Sequence, residues 1–390
     1  MTIPMPHPVV TLSAERRPGH PWIWSSQIAK PAPKLPPGSV VSIVDAKGQF
    51  VGHGFWNGHA RIALRILSTD IDTPVDETFI RARLHDAITL RRDVLDLDAT
   101  SNAWRVVHSE GDGLSGLVVD RYADTLVVEY FAAGMWRMRD TIHAALTEHF
   151  PGAQVYAFAE QHVQKQESFD CRASEPPAPA AVSEYGLTFH AAPGCGHKTG
   201  FFADQRDNRH RFAQLARGRR VLDLCCNAGG FAIHAMAAGA REAVGVDMDA
   251  GILDIARANA AANNVTVDFQ QADIFDWMKA ARERGDTFDA VILDPAKLTR
   301  DRRQVTQALK KYFAMNRLAL DLLAPGGLLL TCSCTGLVSQ ADFLDMLRRV
   351  SLNAGRDIQV LHMGGAGLDH PVSAVVPEGR YLKAAFCRVG

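Results

Sequence analysis

The sequence of 390 residues has no apolar run near the roughly 18 residues that a membrane-crossing helix requires. Cysteine is scarce. The seven, Cys171, Cys195, Cys225, Cys226, Cys332, Cys334 and Cys387, are odd in number and show no framework spacing. That excludes a disulfide scaffold and predicts a reduced, intracellular setting. Neither charge sign is in excess, with 42 Lys plus Arg against 43 Asp plus Glu and a net charge of −1. A surface that binds polyanions everywhere is therefore not expected, although one domain can still carry a basic face. The stretch Met1 to Val10 is proline-rich without an apolar core, unlike a signal peptide. A cytoplasmic protein with no membrane partner is expected. What is present is 47% hydrophobic and 22% charged, which excludes a disordered or collagen-like chain and suffices for two or three cored domains.

Three blocks follow one another. Residues 1–73 are short-stranded and punctuated by glycine: Ser39 to Val44, a turn at Asp45 to Gly48, Phe50 to Phe55, then alternation over Arg61 to Leu67. This pattern predicts a small β-barrel. Residues 74–181 read as α+β. An amphipathic helix is expected over Phe79 to Leu95, a hairpin over Gly116 to Tyr130 turning at Arg121 to Asp124, and a second helix over Met135 to His149. A Pro/Ala linker, Ser174 to Ala181, closes the block. Residues 182–390 alternate strand and helix. Strands are expected at Arg220–Leu224, Ala243–Asp247, Thr266–Phe269, Ala290–Asp294, Leu328–Cys332, Ile358–Leu361 and Leu382–Arg388, and helices at Ala250–Asn263 and Gln304–Leu323. Such alternation predicts an α/β fold, a parallel sheet with helices on both faces.

The first strand of this block runs into Asp223-Leu224-Cys225-Cys226-Asn227-Ala228-Gly229-Gly230. Glycines at a strand-to-helix turn allow a ligand close to the backbone. Asp247 ends the next strand, placed to accept from ribose hydroxyls. Asp273 follows the third, placed for an exocyclic amine, and Asp294-Pro295 ends the fourth. Four acids at the carboxyl ends of successive strands mark one crevice, where doubly wound sheets bind ligands. Each alone reads equally well as a helix cap. G-x-G-x-x-G and the P-loop pattern are both missing, which counts against NAD and ATP. Carboxylates near the loop would repel a pyrophosphate but suit a sulfonium, so S-adenosylmethionine fits best.

With these residues the sequence resembles the class I methyltransferases, and in detail the RlmI-type 23S rRNA (cytosine-C5) methyltransferases. The match is carried by His197 to Arg209 (HKTGFFADQRDNR), the Asp223 loop, Leu293-Asp294-Pro295, Thr331 to Gly336 (TCSCTG), His370-Pro371, Pro377-Glu378-Gly379 and Tyr381-Leu382-Lys383. Gly19 to Trp24 (GHPWIW) resembles the start of that family's PUA domain, a small RNA-binding barrel, and Glu110 to Tyr122 resembles its middle domain. The resemblance covers nearly the whole chain. It implies a PUA-like barrel, a small α+β middle domain and a C-terminal Rossmann-like methyltransferase sheet, with a possible homodimer. It implies that Phe201, Asp204, Gln205 and Arg206 help enclose the cofactor, joining the crevice residues Asp223, Asn227, Gly229, Asp247, Asp273 and Asp294; an aromatic can stack and Arg206 can take a carboxylate. Asp204 and Arg206 can equally anchor the following helix.

Carbon 5 of cytosine is a poor nucleophile until a thiolate adds to carbon 6. Cys332 and Cys334 end the fifth strand, two apart and so expected on one side of it. Free cysteines are also common small buried groups. The family's cysteine precedes Ser or Thr and Gly, which selects Cys334. Asp294 is expected to hydrogen-bond the base at N4 or N3. The family usually reads Asp-Pro-Pro, where this chain has Asp294-Pro295-Ala296-Lys297-Leu298. No cysteine pair has the spacing of a zinc site. Candidate RNA contacts are Arg300, Arg302 and Arg303 after the Asp294 loop, with Trp22 as a stacking ring; Trp24, Phe55 and Trp56 fit stacking or barrel core alike. Other basic clusters, including Arg81/Arg83 and Arg91/Arg92, read first as solvated helix faces. The expected activity is formation of 5-methylcytidine in large-subunit rRNA. Direct-transfer methylation, such as at guanine N7, and a non-catalytic RNA-binding assembly factor are the alternatives.

Overall fold

The computed structural model describes residues 5–16, 19–173, 175–194 and 200–390. Cys195 and the His197-Lys198-Thr199 end of the HKTGFF motif lie outside them, as does Ser174 of the linker. The chain divides into two compact units. One comprises Met1–Val182, Ala191–Phe201 and Leu368–Gly379; the other comprises Ser183–His190, Phe202–Gly367 and Arg380–Gly390.

The first unit opens with β1 (Val9–Thr11), β2 (Trp22–Trp24), β3 (Ser39–Val44), β4 (Phe50–Trp56) and β5 (Ile62–Ser68), ordered β1-β3-β4-β5-β2. Beyond β1 and β2 the chain closes the sheet through a bridge between Leu12 and Ile28, with Ser13 donating to the Gln27 carbonyl at 2.9 Å. Val10, Ile23, Val41, Ile43, Trp56 and Leu64 fill the interior. Trp56 is thus barrel core, Phe55 is buried instead in the core that follows with Phe79, Leu84 and Trp104, and Trp24 is exposed.

Next come α1 (Glu77–Thr89), β6 (Ala103–His108), β7 (Leu117–Tyr122), β8 (Thr125–Tyr130), α2 (Ala133–Arg137), α3 (Arg139–His149), β9 (Gln154–Phe158) and α4 (Gln161–Glu167), with sheet order β6-β7-β8-β9. Four expectations need correction. The helix expected to reach Leu95 loosens into a π-turn over Leu90–Val94. Arg91 lies within that turn, fully buried, and pairs with Asp112 while donating to the Asp369 carbonyl at 2.7 Å. It is a buried anchor and not part of a solvated face. The helix expected over Met135–His149 breaks at Met138 into α2 and α3. The hairpin turns at Ala123-Asp124, since Arg121 and Tyr122 still pair in β7.

A hairpin of β10 (Ala180–Glu184) and β11 (Leu187–Ala191) falls at the division between units. The second unit continues with α5 (Arg206–Leu215), β12 (Arg220–Leu224), α6 (Gly230–Ala237), β13 (Glu242–Asp247), α7 (Ala250–Ala262), β14 (Asp268–Gln271), α8 (Ile274–Arg284), β15 (Phe288–Leu293), α9 (Val305–Asp321), β16 (Leu323–Ser333), α10 (Gln340–Ala354), β17 (Ile358–Gly364) and β18 (Lys383–Val389). Its seven strands run β14-β13-β12-β15-β16-β18-β17.

Neighbouring residues on one strand feed opposite cores. Leu222, Val291 and Leu329 pack with Trp277 and Phe343, whereas Val221, Ile292 and Leu330 pack with Phe212 and Phe231. Burial on both faces is why these strands read as continuous apolar runs. The sheet is parallel except for β18, which is antiparallel to both β16 and β17. Only a single 3-10 turn, Pro377–Gly379, and no α-helix separates β17 from β18, and a parallel pairing would need a crossover element. Strand β14 starts later than expected, because Thr266 and Val267 precede the paired residues.

Candidate active site

The loop after β12 turns sharply. Cys225, Asn227 and Gly229 have φ of 61°, 49° and 80°, left-handed values that only glycine adopts without strain. A Cβ on Gly229 would lie 2.7 Å from Phe269 Cζ, so glycine is required there sterically as well. Asp247 accepts the Asn227 N–H at 3.0 Å through one carboxylate oxygen and the Asp249 N–H at 3.1 Å through the other. The second acid is thereby locked onto the loop of the first.

Asp223 is fully buried. Its Oδ2 accepts the Ala232 N–H at 3.1 Å, while Oδ1 has no hydrogen-bond partner. Burial, with Asp294 and Asp247 nearby, raises its pKa to about 8. Asp273 is exposed and caps α8, accepting the Phe275 N–H at 2.8 Å and the Asp276 N–H at 3.4 Å.

Asp294 follows β15, and Gln205 Nε2 donates to its Oδ2 at 2.9 Å. Gln205 Oε1 in turn accepts from Asn208 at 2.6 Å. Asp204 is buried and accepts the Tyr381 hydroxyl at 2.6 Å. Arg206 is fully buried at the start of α5 and donates to Asp207 at 3.3 Å. Asp204 and Gln205 therefore meet Tyr381, two residues ahead of β18, and the β15 loop. Phe201 belongs to the first unit, where its carbonyl accepts the Tyr122 hydroxyl at 3.3 Å.

The two cysteines of β16 part company. Cys332 lies inside the strand in the core with Phe212 and Phe231, and burial drives its thiol pKa well up. Cys334 stands one residue past the strand, so the two-residue alternation expected to align the pair does not extend to it. It is half-buried, and its Sγ lies 3.8 Å from the Pro295 carbonyl oxygen. Thr335 fixes this turn. Its Oγ1 meets the Tyr312 hydroxyl at 2.9 Å and accepts the Leu298 N–H at 3.2 Å, and its carbonyl accepts from Lys383 at 2.8 Å. Leu298 also packs on the main core, an apolar anchor for the Asp294 loop.

Sequence reasoning missed the placing of Tyr312, Tyr381 and Lys383. For the last two the only signal was the Tyr381-Leu382-Lys383 match. It also missed the buried cluster in which Arg209 and His234 both bond Glu184.

Arg300, Arg302 and Arg303 are all exposed, with Arg303 turned back onto Asp301 at 2.8 Å. In the first unit, Trp22 is half-buried and donates its indole N–H to Glu110 at 2.9 Å. Among the described residues no cluster of His, Cys, Asp or Glu could hold a metal ion, and no helix is long and apolar enough to cross a membrane.

Comparison with known proteins bears on this geometry. Residues 114–356 match the family model of S-adenosylmethionine-dependent methyltransferases, and residues 13–69 match a PUA-like domain. Ribosomal RNA large subunit methyltransferase I of Aeromonas hydrophila is 37% identical over 95% of this chain and 95% of its own length. Its counterpart in Salmonella arizonae is 35% identical over 95% and 94%. This chain belongs to the ribosomal RNA large subunit methyltransferase I family. It is an S-adenosylmethionine-dependent methyltransferase. The structure of SMU.776 complexed with SAH shares the fold, with a TM-score of 0.82 at 22% identity over 98% of this chain and 99% of that one.

The donor set around the Asp223 loop fits the methionine sulfonium cofactor. A buried carboxyl with an unpartnered oxygen, a second carboxylate on the loop and a glycine-bounded approach to the backbone suit a cationic nucleoside better than a phosphorylated one. When bound, that group supplies an electrophilic methyl.

Proposed function

We propose that this enzyme methylates carbon 5 of a cytidine in large-subunit rRNA, with Cys334 as nucleophile. What carries the reading is the contrast between the two thiols. Cys332 is sealed in the core, whereas Cys334 is half-buried at the carboxyl end of β16 beside the Asp294-Pro295 loop. The names of the curated relatives supply the substrate class.

In this reading the thiolate pair of Cys334 forms a bond to carbon 6, and the displaced π pair becomes available at carbon 5. Asp294, held by Gln205, hydrogen-bonds the base and stabilises the charge that develops on its ring. After methylation the proton on carbon 5 goes to a base, and the sulfur–carbon bond breaks to restore ring and thiolate. The target nucleotide must leave its stack to enter. Asp204, Gln205, Arg206, Asp223, Asn227, Gly229, Asp247, Asp273 and Asp294 are the proposed cofactor-binding set.

Arg300, Arg302 and Arg303 are proposed to meet RNA phosphates, and Trp22 to contribute from the barrel. Division at residues 73 and 181 into barrel, middle domain and methyltransferase domain belongs to the same reading, as do a cytoplasmic location and a homodimer, which sedimentation would detect. RNA bearing 5-fluorocytidine tests the chemistry: wild type should be trapped covalently, since fluorine cannot leave as a proton does. Cys334→Ala should form no adduct. If that variant still methylates rRNA, direct transfer to another atom replaces this reading.

A further inference from the structure

The antiparallel ladder brings a lysine to the thiol. Ser333 on β16 pairs with Lys383 on β18, and Cys334 is the next residue along the chain. Lys383 is only 2% exposed. Its Nζ donates to the carbonyls of Thr335 at 2.8 Å and Tyr381 at 2.9 Å. An ammonium carries three hydrogens, so two carbonyls leave one uncommitted. No carboxylate pairs with Lys383 among the described residues, although a buried cation without one is costly. Among its described electrostatic neighbours, the group whose ionised form would favour the ammonium is Cys334.

We propose that Lys383 is a positioning residue for Cys334, its ammonium stabilising the thiolate while its bond to the Thr335 carbonyl fixes the backbone that carries the sulfur. The proton released on ionisation goes to solvent. This rests on the reading of Cys334 as nucleophile.

Burial lowers the pKa of Lys383 to about 8, with Cys334 opposing and Lys297 reinforcing the shift. Lys383 is therefore mainly protonated at neutral pH. The other groups around this pair come from three elements. Tyr312 on α9 is pushed up to about 12 by burial and stays neutral, as does Cys332 on β16. Asp294, after β15, carries a charge that opposes a thiolate. Lys297, on the same loop, is exposed and adds a weaker positive field. Lys383 is the buried cation of this set.

The test is the pH dependence of Cys334 alkylation by iodoacetamide in the full chain, followed by mass spectrometry of its peptide. Sulfur displaces iodide only as thiolate, so the rate reports the thiol pKa. In wild type the midpoint should fall below the roughly 8.5 of a free thiol. Lys383→Met should raise it by about one unit or more, slowing alkylation about tenfold at pH 7. Lys383→Arg should restore most of the shift. A wild-type midpoint at or above about 8.5 overturns the proposal even if Lys383→Met does not fold, as does a Met-variant profile that overlays wild type. Fluorocytidine trapping by wild type separates the two levels. An adduct with a profile indifferent to Lys383 overturns the lysine proposal alone. A midpoint that follows Lys383 without any adduct supports it and removes the functional reading.

Discussion

Gln205 holds Asp294 from the side: its amide nitrogen donates to the Asp294 carboxylate at 2.9 Å, and its oxygen is held by Asn208 at 2.6 Å. Both Gln205 and Asn208 are buried, so the amide is fixed and Asp294 is presented in one orientation. Gln205→Glu replaces the donor with a carboxylate facing a carboxylate. Methyl transfer should fall about a hundredfold, the scale of losing one oriented polar contact at a reacting centre. Unfolding free energy should drop by about 1–3 kcal/mol, the cost of a buried polar group left unsatisfied. Methyl transfer to rRNA and thermal unfolding measure the two effects.

Cys332 and Cys334 should separate cleanly on mutation. Cys332→Ala removes a fully buried sulfur and should cost about 1 kcal/mol through the small cavity it leaves, while covalent trapping of fluorocytidine RNA survives. Cys334→Ala should keep wild-type unfolding and lose trapping. Trapping lost from the Cys332 variant and kept by the Cys334 variant would exchange their roles. Denaturant titration alongside gel-shift trapping reads both.

The succession of strands along the chain and the acids near their ends were legible because a strand buried on both faces shows as an apolar run. The antiparallel β18 was not. Antiparallel pairing leaves no periodic trace when both faces of a strand are buried, and only the lack of an α-helix between Gly364 and Lys383 hinted at it. Asp273 shows a different limit, because a helix cap and a ligand contact demand the same residue at the same place. Cys334 was legible through the family match, yet the same-strand argument behind it failed by one residue, since β16 stops at Ser333. Lys383 was illegible as a neighbour of Cys334, because 48 residues separate it from Thr335 and only the β16–β18 register joins them.

Asp223 should make cofactor binding depend on pH. Its folded pKa is raised to about 8 from 3.8. The protonated form thus favours folding, a contribution complete below pH 3.8 and lost as pH rises through about 8. A sulfonium favours the ionised form instead. Affinity for S-adenosylmethionine should therefore increase as pH rises through about 8, with proton release, and affinity for the uncharged thioether product should increase less. Asp223→Asn should flatten this dependence and raise the melting temperature at pH 9. Calorimetry in buffers of different ionisation enthalpy detects the proton.

Glu184, Arg209 and His234 form a buried ionic cluster, with Arg209 and Glu184 in a two-pronged contact. Although burial opposes its ionisation, Arg209 and His234 hold Glu184 down to about 2. Its stabilisation is present above pH 4.5 and is lost as pH falls toward 2. Glu184→Gln removes a buried counter-charge of Arg209. It should lose about 3–5 kcal/mol at pH 7, and the gap to wild type should narrow below pH 4.5. Urea unfolding at pH 7 and pH 3.5 compares them.

The arginines after the Asp294 loop differ in how much charge they offer RNA. Arg303 is exposed but chelated by Asp301, whose carboxylate both receives its guanidinium and caps the turn at the Arg303 N–H. Hydrogen bonds from the Arg303 side chain and then its N–H keep the Asp301 pKa low against a smaller desolvation, so Asp301 stays ionised and the pair is nearly neutral. Arg300 and Arg302 have no such partner among the described residues and present their full charge. On single-stranded RNA each phosphate contact adds about 0.7 to the slope of log affinity against log salt. Arg300→Ala with Arg302→Ala should therefore reduce that slope by about 1.4, and Arg303→Ala should reduce it by less than half as much. Asp301→Ala should steepen it, because Arg303 is then released to the phosphates. Equal losses for all three arginines would show that the Asp301 contact gives way on binding, and unchanged slopes would take this segment out of the RNA interface. Fluorescence anisotropy with a labelled rRNA fragment across a salt series distinguishes these outcomes.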